Sequence, residues 1–285
     1  MDERWREIGD RVYVRRHESF DLNVGLVVGD EGCLVVDTRM SHRQARELAA
    51  AIRTVTALPW TVVNTHAHFD HFFGNAVFLP ADIWGHVRCA ETAAATGEAQ
   101  RRKWLHEGPE ELAEVEITPP GRTFTDAAAL DLGGRPVRLR HLGRGHTDND
   151  IVVEVPDADV IFAGDLVEEG APPQFGDGFP LEWPDTLARL LDLPGEVVVP
   201  GHGAVVDRDF VRRQHADHVT AVEILTTGGD PPACPSPRRP RRRSSHVSAT
   251  SVRRAGRSGE GGGGAGREEA ERGRRGGRDA SGSEA

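Results

Sequence analysis

Six consecutive positions, His66-Ala67-His68-Phe69-Asp70-His71, carry three imidazoles and a carboxylate directly after the apolar run Trp60-Thr61-Val62-Val63. A turn that only reverses the chain needs none of these groups, and a helix cap on Asp70 would need one carboxylate and no histidine. Imidazole with carboxylate is the ligand set that suits zinc, and also iron or manganese. In an extended segment His66 and His68 point to the same side, so two imidazoles grip one ion from one face. Asp70 and His71 lie past the bend and turn toward a neighbouring ion, with Gly74 and Asn75 easing entry into a following helix. One motif offers four ligands at most, so two ions require a fold that brings in ligands from distant segments.

The rest of the chain supplies them. Val137-Arg138-Leu139-Arg140-His141-Leu142 alternates like a strand, breaks at Gly143 and reaches Gly145-His146-Thr147. Asp159 to Ala163 reads as a buried strand ending at Gly164-Asp165, and Glu196 to Val199 as another ending at Pro200-Gly201-His202-Gly203. Each candidate ligand lies one to three residues past a β-run, beside a glycine that permits close backbone approach. Strand ends that deliver His or Asp to one edge are where sites on α/β scaffolds form. The alternation of β-runs and helical segments says α/β.

The pattern His-x-His-x-Asp-His, with the openings Val12-Tyr13-Val14, Asn23 to Val28 and Cys33 to Thr38, resembles the metallo-β-lactamase-fold hydrolases over roughly residues 10 to 225. The resemblance implies a four-layer αβ/βα sandwich, helices outside two mixed β-sheets, with metals at one edge between the sheets. It implies that His66, His68 and His146 hold one metal, that Asp70, His71 and His202 hold the other, and that Asp165 bridges them. Two Zn2+ per chain are then expected, with Fe or Mn as alternatives. A metal-bridging hydroxide would be the nucleophile, and Asp70 the catalytic carboxylate that orients it and takes its proton. No serine or cysteine nucleophile is needed, and Cys33 reads as a small core residue.

Within that family, true zinc β-lactamases lack the bridging aspartate, whereas the glyoxalase II-like branch carries it. Acyl-homoserine lactonases place a tyrosine three residues after it; here Glu168 stands there, and Tyr13 is the only tyrosine. Nothing past Leu225 resembles the helical domain with which glyoxalase II holds glutathione. The expected activity is therefore hydrolysis of a small-molecule ester, thioester or lactone. The alternatives are a mononuclear iron persulfide dioxygenase, whose ligands would fall on His66, His146 and Asp165, and a phosphodiesterase or β-lactamase-like hydrolase. A non-catalytic metal-binding protein is disfavoured by the complete ligand set.

Other features take plainer readings. His215 and His218, one helical turn apart, read as a solvated helix face rather than a metal pair. Asp37 supports the metal loop, by the same resemblance, or caps a turn. Asp148, Asn149 and Asp150 are turn formers, Asp148 being the one candidate to support a ligand. The Gly- and Pro-rich segment from Glu168 to Trp183 carries Phe175, Phe179 and Trp183, as a substrate-facing wall or as a loop packing its aromatics into the core. The charged stretch from Ala90 to Glu116, with Trp104 inside it, reads as a solvated connecting helix rather than a lid. Met1 to Glu7 reads as helical.

Composition divides the chain. After Leu225 there is no Leu, Ile, Met, Phe, Tyr or Trp, and the sequence runs through an arginine cluster at Arg238 to Arg243 and a glycine run at Gly261 to Gly264. Such a stretch cannot bury enough apolar surface to offset its ordering entropy, so residues 226–285 are expected to be a disordered tail behind a catalytic domain at 1–225. The whole-chain net charge of −10 conceals a split: with the tail's 13 arginines and seven acids set aside, 22 basic face 38 acidic residues. An acidic domain lacks the basic surface that polyanions need, so the expected partner is a small-molecule substrate and no nucleic acid. With 34 arginines and the single Lys103, a frame change near Thr226 in GC-rich coding sequence would also yield the tail's composition. No apolar run suggests a membrane span, and three cysteines without paired spacing point to a reducing, cytoplasmic setting. The sequence leaves the oligomeric state open.

Overall fold

The runs Asn23–Val28, Cys33–Val36, Val152–Val155 and Val160–Glu168 are mostly apolar and buried throughout, which is what a strand needs when both its faces are covered. The computed structural model describes residues 4–107 and 109–227, and among them are two sheets. The first has seven strands in chain order: β1 (Arg6–Gly9), β2 (Val12–Arg16), β3 (Asn23–Val28), β4 (Cys33–Val36), β5 (Trp60–Val63), β6 (Ile83–His86) and β7 (Arg122–Phe124). β1 to β4 pair antiparallel, and β4 to β7 parallel. The second holds β8 (Ala127–Asp131), β9 (Pro136–Arg140), β10 (Val152–Val155), β11 (Val160–Glu168), β12 (Val197–His202) and β13 (Val206–Asp207), in the order β13-β12-β11-β10-β9-β8. Only β11 and β12 run parallel in it, so both sheets are mixed.

Three apolar clusters define the layers. Val12, Val27, Leu34 and Val63 of the first sheet meet Leu139, Val153, Phe162 and Val199 of the second, forming the core between the sheets. On the outer face of the first sheet, Val24, Leu26, Val35 and Val62 pack on Ala45, Leu48 and Ile52 of α1 (His42–Arg53). Those three helix positions share one stripe at helical spacing, and Ser41 Oγ caps the helix by accepting from Gln44 N at 3.2 Å. On the outer face of the second sheet, Val152, Ile161 and Val198 pack on Leu187 and Leu190 of α4 (Trp183–Leu191) and Val211 of α5 (Arg208–Thr227). Adjacent residues such as Ile161 and Phe162 therefore point into opposite layers, as the pleat requires. The four-layer arrangement is present. Of two further helices, α2 (Phe69–Phe72) carries Asp70 and His71 of the motif, and α3 (Val87–Glu107) lies beside it.

Three expectations need correction. From Arg4 onward the opening is not helical: Arg6–Gly9 is a strand paired with β2, and Trp5 Nε1 donates to Ala51 O at 3.1 Å, so sheet pairing overrides local helical propensity. The motif is not extended throughout; Thr65 to Ala67 bend, His68 is extended, and α2 begins at Phe69. The strand expected to end at Ala163 continues to Glu168, so Asp165 lies within it. Gly164, at φ +53°, makes this passable: pairing with β12 shifts register on either side of it. The expectation for the tail from residue 228 onward lies outside the described residues. Among the described residues no helix is long and apolar enough to cross a membrane.

Candidate metal centre

The motif leaves the end of β5 in the first sheet, while His146, Asp165 and His202 come from the second: His146 beyond β9, Asp165 within β11 and His202 at the end of β12. All seven predicted positions converge. His66, His68, His146 and Asp165 form one group with ligand atoms within 4.8 Å of one another, and Asp70, His71 and His202 form a second. In the first, His68 Nδ1 lies 3.1 Å from His66 Nε2 and 2.8 Å from His146 Nε2. In the second, Asp70 Oδ2 lies 3.7 Å from His71 Nε2 and 3.5 Å from His202 Nε2. Asp165 sits between the groups, at 3.4 Å from His146 Nε2 and 3.3 Å from both His71 Nε2 and His202 Nε2. Gly201 makes this approach possible, since a Cβ there would fall 1.8 Å from Asp165 Oδ1.

The donor set fits a divalent metal. Five imidazoles and two carboxylates packed this closely cannot all satisfy one another by hydrogen bonding, and Asp165 Oδ1 and His146 Nδ1 are buried without a hydrogen-bond partner. Burial, then His71, pushes His66 well below the ordinary histidine range, and burial brings His146 down to about 4. Burial also opposes charge on His202, but Asp165 and Asp70 outweigh it and raise that histidine to about 9. Burial works against ionised Asp165 too, yet His202, His71, His66 and His146 hold its carboxyl well below the usual carboxylate range.

Outer contacts orient the rings. His71 Nδ1 faces Asp37 Oδ2 at 2.8 Å, and Asp37 also accepts from Thr65 N and Thr65 Oγ1, each at 2.8 Å. Asp37 thus supports the motif, held at φ +67°. His202 Nδ1 donates to Phe20 O at 2.7 Å, and His68 Nε2 lies 3.1 Å from Asp177 Oδ2. Among the turn formers, support comes from Asn149 and Asp150 rather than Asp148. Asn149 Oδ1 accepts from Ala67 N at 2.9 Å, whereas Asp148 pairs with Arg88 at 2.7 Å. Asp150, pushed up to about 7 by burial, accepts from Thr147 N and Thr147 Oγ1 beside His146.

A cavity of about 1100 Å³ opens onto both groups. Here the reading of Ala90 to Glu116 is corrected: α3 is a wall of this cavity, contributing Thr92, Thr96, Gln100, Lys103 and Trp104. Gln100 accepts from Phe69 N at 3.0 Å and donates to Ala67 O at 2.9 Å, so the helix grips the motif itself. Trp104 stacks on Phe69, ring centroids 4.3 Å apart, and Phe20 meets both edge-on. The segment after Asp165 does both things weighed for it: Glu168, Gln174, Asp177 and Phe179 line the cavity, while Trp183 is fully buried in the core. His218 is no solvated face. It is buried, with its ring 4.8 Å from that of Trp183 and its Nδ1 donating to Gln214 O.

Comparison with known proteins identifies the family. The chain belongs to the metallo-β-lactamase superfamily, whose family model matches residues 20–202. It is 28% identical to a type 2 metallo-β-lactamase of Bacillus cereus over 194 residues, 66% of this chain and 69% of that protein. It is 27% identical over 228 residues to the acyl-coenzyme A thioesterase MBLAC2 of Bos taurus, 69% of this chain and 80% of the relative. The solved metallo-β-lactamase of Pontibacter korlensis superposes with a TM-score of 0.60 at 22% identity, covering 76% of this chain and 97% of the other. The chain is a hydrolase of this superfamily.

Proposed function

We propose that the protein is a binuclear zinc hydrolase of a small-molecule ester, thioester or lactone, of the glyoxalase II-like kind with a bridging aspartate. The observation that carries this reading is the position of Asp165, 3.3–3.4 Å from ring nitrogens of both histidine groups. His66, His68 and His146 would hold one ion, Asp70, His71 and His202 the other, with Asp165 shared. When bound, such a pair supplies Lewis acidity for a substrate carbonyl oxygen and lowers the pKa of a water from 15.7 to about 7.

The chain's own residues supply the rest. Asp70, a cavity-lining carboxylate whose Oδ2 faces His71 and His202, is placed to accept the proton that an attacking water gives up. The Phe20, Phe69 and Trp104 rings offer an apolar surface for the acyl part of a substrate, and lining the cavity with them keeps bulk water from that side. The similarity to an acyl-coenzyme A thioesterase favours a thioester within this class.

The first test is elemental mass spectrometry on chain purified without added metal, followed by a panel of acyl thioester, lactone, aryl ester, phosphodiester and β-lactam. About two zinc per chain with turnover of one of the first three is the expected result. About one iron would instead favour the persulfide dioxygenase, and turnover confined to the β-lactam or phosphodiester would overturn the substrate class.

A further inference from the structure

Each of the five imidazoles turns a second ring nitrogen away from the centre, and a partner is expected there. His71 has Asp37, His202 has Phe20 O, His66 Nδ1 has Thr65 Oγ1 at 3.1 Å, and His68 Nε2 has Asp177. His146 is the exception: its Nδ1 is buried without a hydrogen bond. The nearest carboxylate to it is that of Glu168, with Oε1 at 4.0 Å.

Glu168 has the complementary anomaly. It is 6% exposed, stands at the end of β11 and lines the cavity, yet only its backbone is anchored, its N–H donating to Gln214 Oε1 at 3.3 Å. A carboxylate taken out of water without a donor is costly, and so is a buried imidazole N–H without an acceptor. The two groups are each other's closest remedy, about 1 Å short of hydrogen-bond distance. Fixing the N–H on Nδ1 leaves the lone pair of Nε2 pointing at the centre, which is the tautomer a metal ligand needs.

We infer that Glu168 is a positioning residue for His146, accepting its Nδ1–H and thereby strengthening His146 as a ligand of the first metal group. The inference rests on the proposed metal centre but is independent of substrate. Glu168→Leu, which removes the acceptor altogether, is expected in the full-length chain to weaken Zn2+ binding by about tenfold or more, read by competition with a chromophoric chelator. The metal-free variant should unfold at the same temperature as the metal-free parent or higher, because a buried carboxylate has been removed. A merely structural role would lower both together.

A carboxylate this near the centre could also attract cations through space, and a double-mutant cycle separates the two effects. In a His146→Gln background, Glu168→Leu should cost little further affinity. An equal loss in both backgrounds, or unchanged Zn2+ affinity in the single variant, overturns the inference while leaving the metal centre standing. A parent chain that binds no Zn2+ in the same assay overturns the metal centre and this inference with it.

Discussion

At the scale of single residues, the candidate ligands are legible in the sequence and most of their supports are not. His66, His68, Asp70 and His71 announce themselves because few structural purposes would place such groups together. Asn149 Oδ1 on Ala67 N, or Phe20 O on His202, join residues 82 and 182 positions apart, and no spacing in the sequence encodes such contacts. Asp37 is the support with the sharpest consequence, because three donors depend on it: Thr65 N, Thr65 Oγ1 and His71 Nδ1. In Asp37→Asn one oxygen still accepts from Thr65 N, but an amide N–H2 now faces His71 Nδ1 and cannot accept from it. His71 must then carry its proton on Nε2, toward Asp165 and the second group. We expect zinc content to fall from two to about one per chain by elemental mass spectrometry, with the fold retained by circular dichroism. Asp37→Ala leaves all three donors without their acceptor and should cost about 3–5 kcal/mol of stability in denaturant titration.

At the scale of elements, helical propensity identified α3 but not its use. A charged helix reads as solvated from composition alone, because the residues that grip the motif, Gln100 and Trp104, are a minority on one face. The same limit explains β1, where a charged segment is claimed by the edge of the first sheet, and β11, whose passage through Gly164 depends on its pairing with β12. The cavity role of α3 has a kinetic signature. Trp104→Ala removes the ring stacked on Phe69 without touching any metal-facing atom. For a substrate with a long apolar acyl group it should raise KM by about tenfold, equivalent to roughly 1.4 kcal/mol of uniform binding, with kcat nearly unchanged. A short acetyl analogue should show little difference. A fall in kcat of equal size for both substrates would mean that Trp104 holds the motif in place rather than the substrate.

At the scale of the whole molecule, the motif belongs to the first sheet and the remaining ligands to the second, so a bound metal ties the two halves of the sandwich together. Stabilisation by such a ligand grows with its free concentration and reaches about 4 kcal/mol at a thousandfold excess over Kd. Chelation should therefore lower the thermal midpoint at neutral pH, and the metal-free chain should acquire a pH dependence that zinc suppresses. In the metal-free chain His202 is raised to about 9, so the stability it contributes is complete below its ordinary value of 6.5 and is lost as pH rises through 9. His146 is lowered to about 4 by burial, so its contribution is present above 6.5 and is lost as pH falls toward 4. Asp150 and Glu168, whose carboxyls burial raises to about 7 and about 8, oppose the His146 loss on the acid side and add to the His202 loss on the alkaline side, so the metal-free midpoint is expected to decline as pH rises from 6.5 toward 9. Zinc occupies the same nitrogens and removes the His202 share of the alkaline decline, because His202 then has no proton to lose. Scanning calorimetry of chelated and zinc-loaded chain between pH 5 and 9 tests this directly, and superimposable profiles would show that His146 and His202 do not serve a common metal centre.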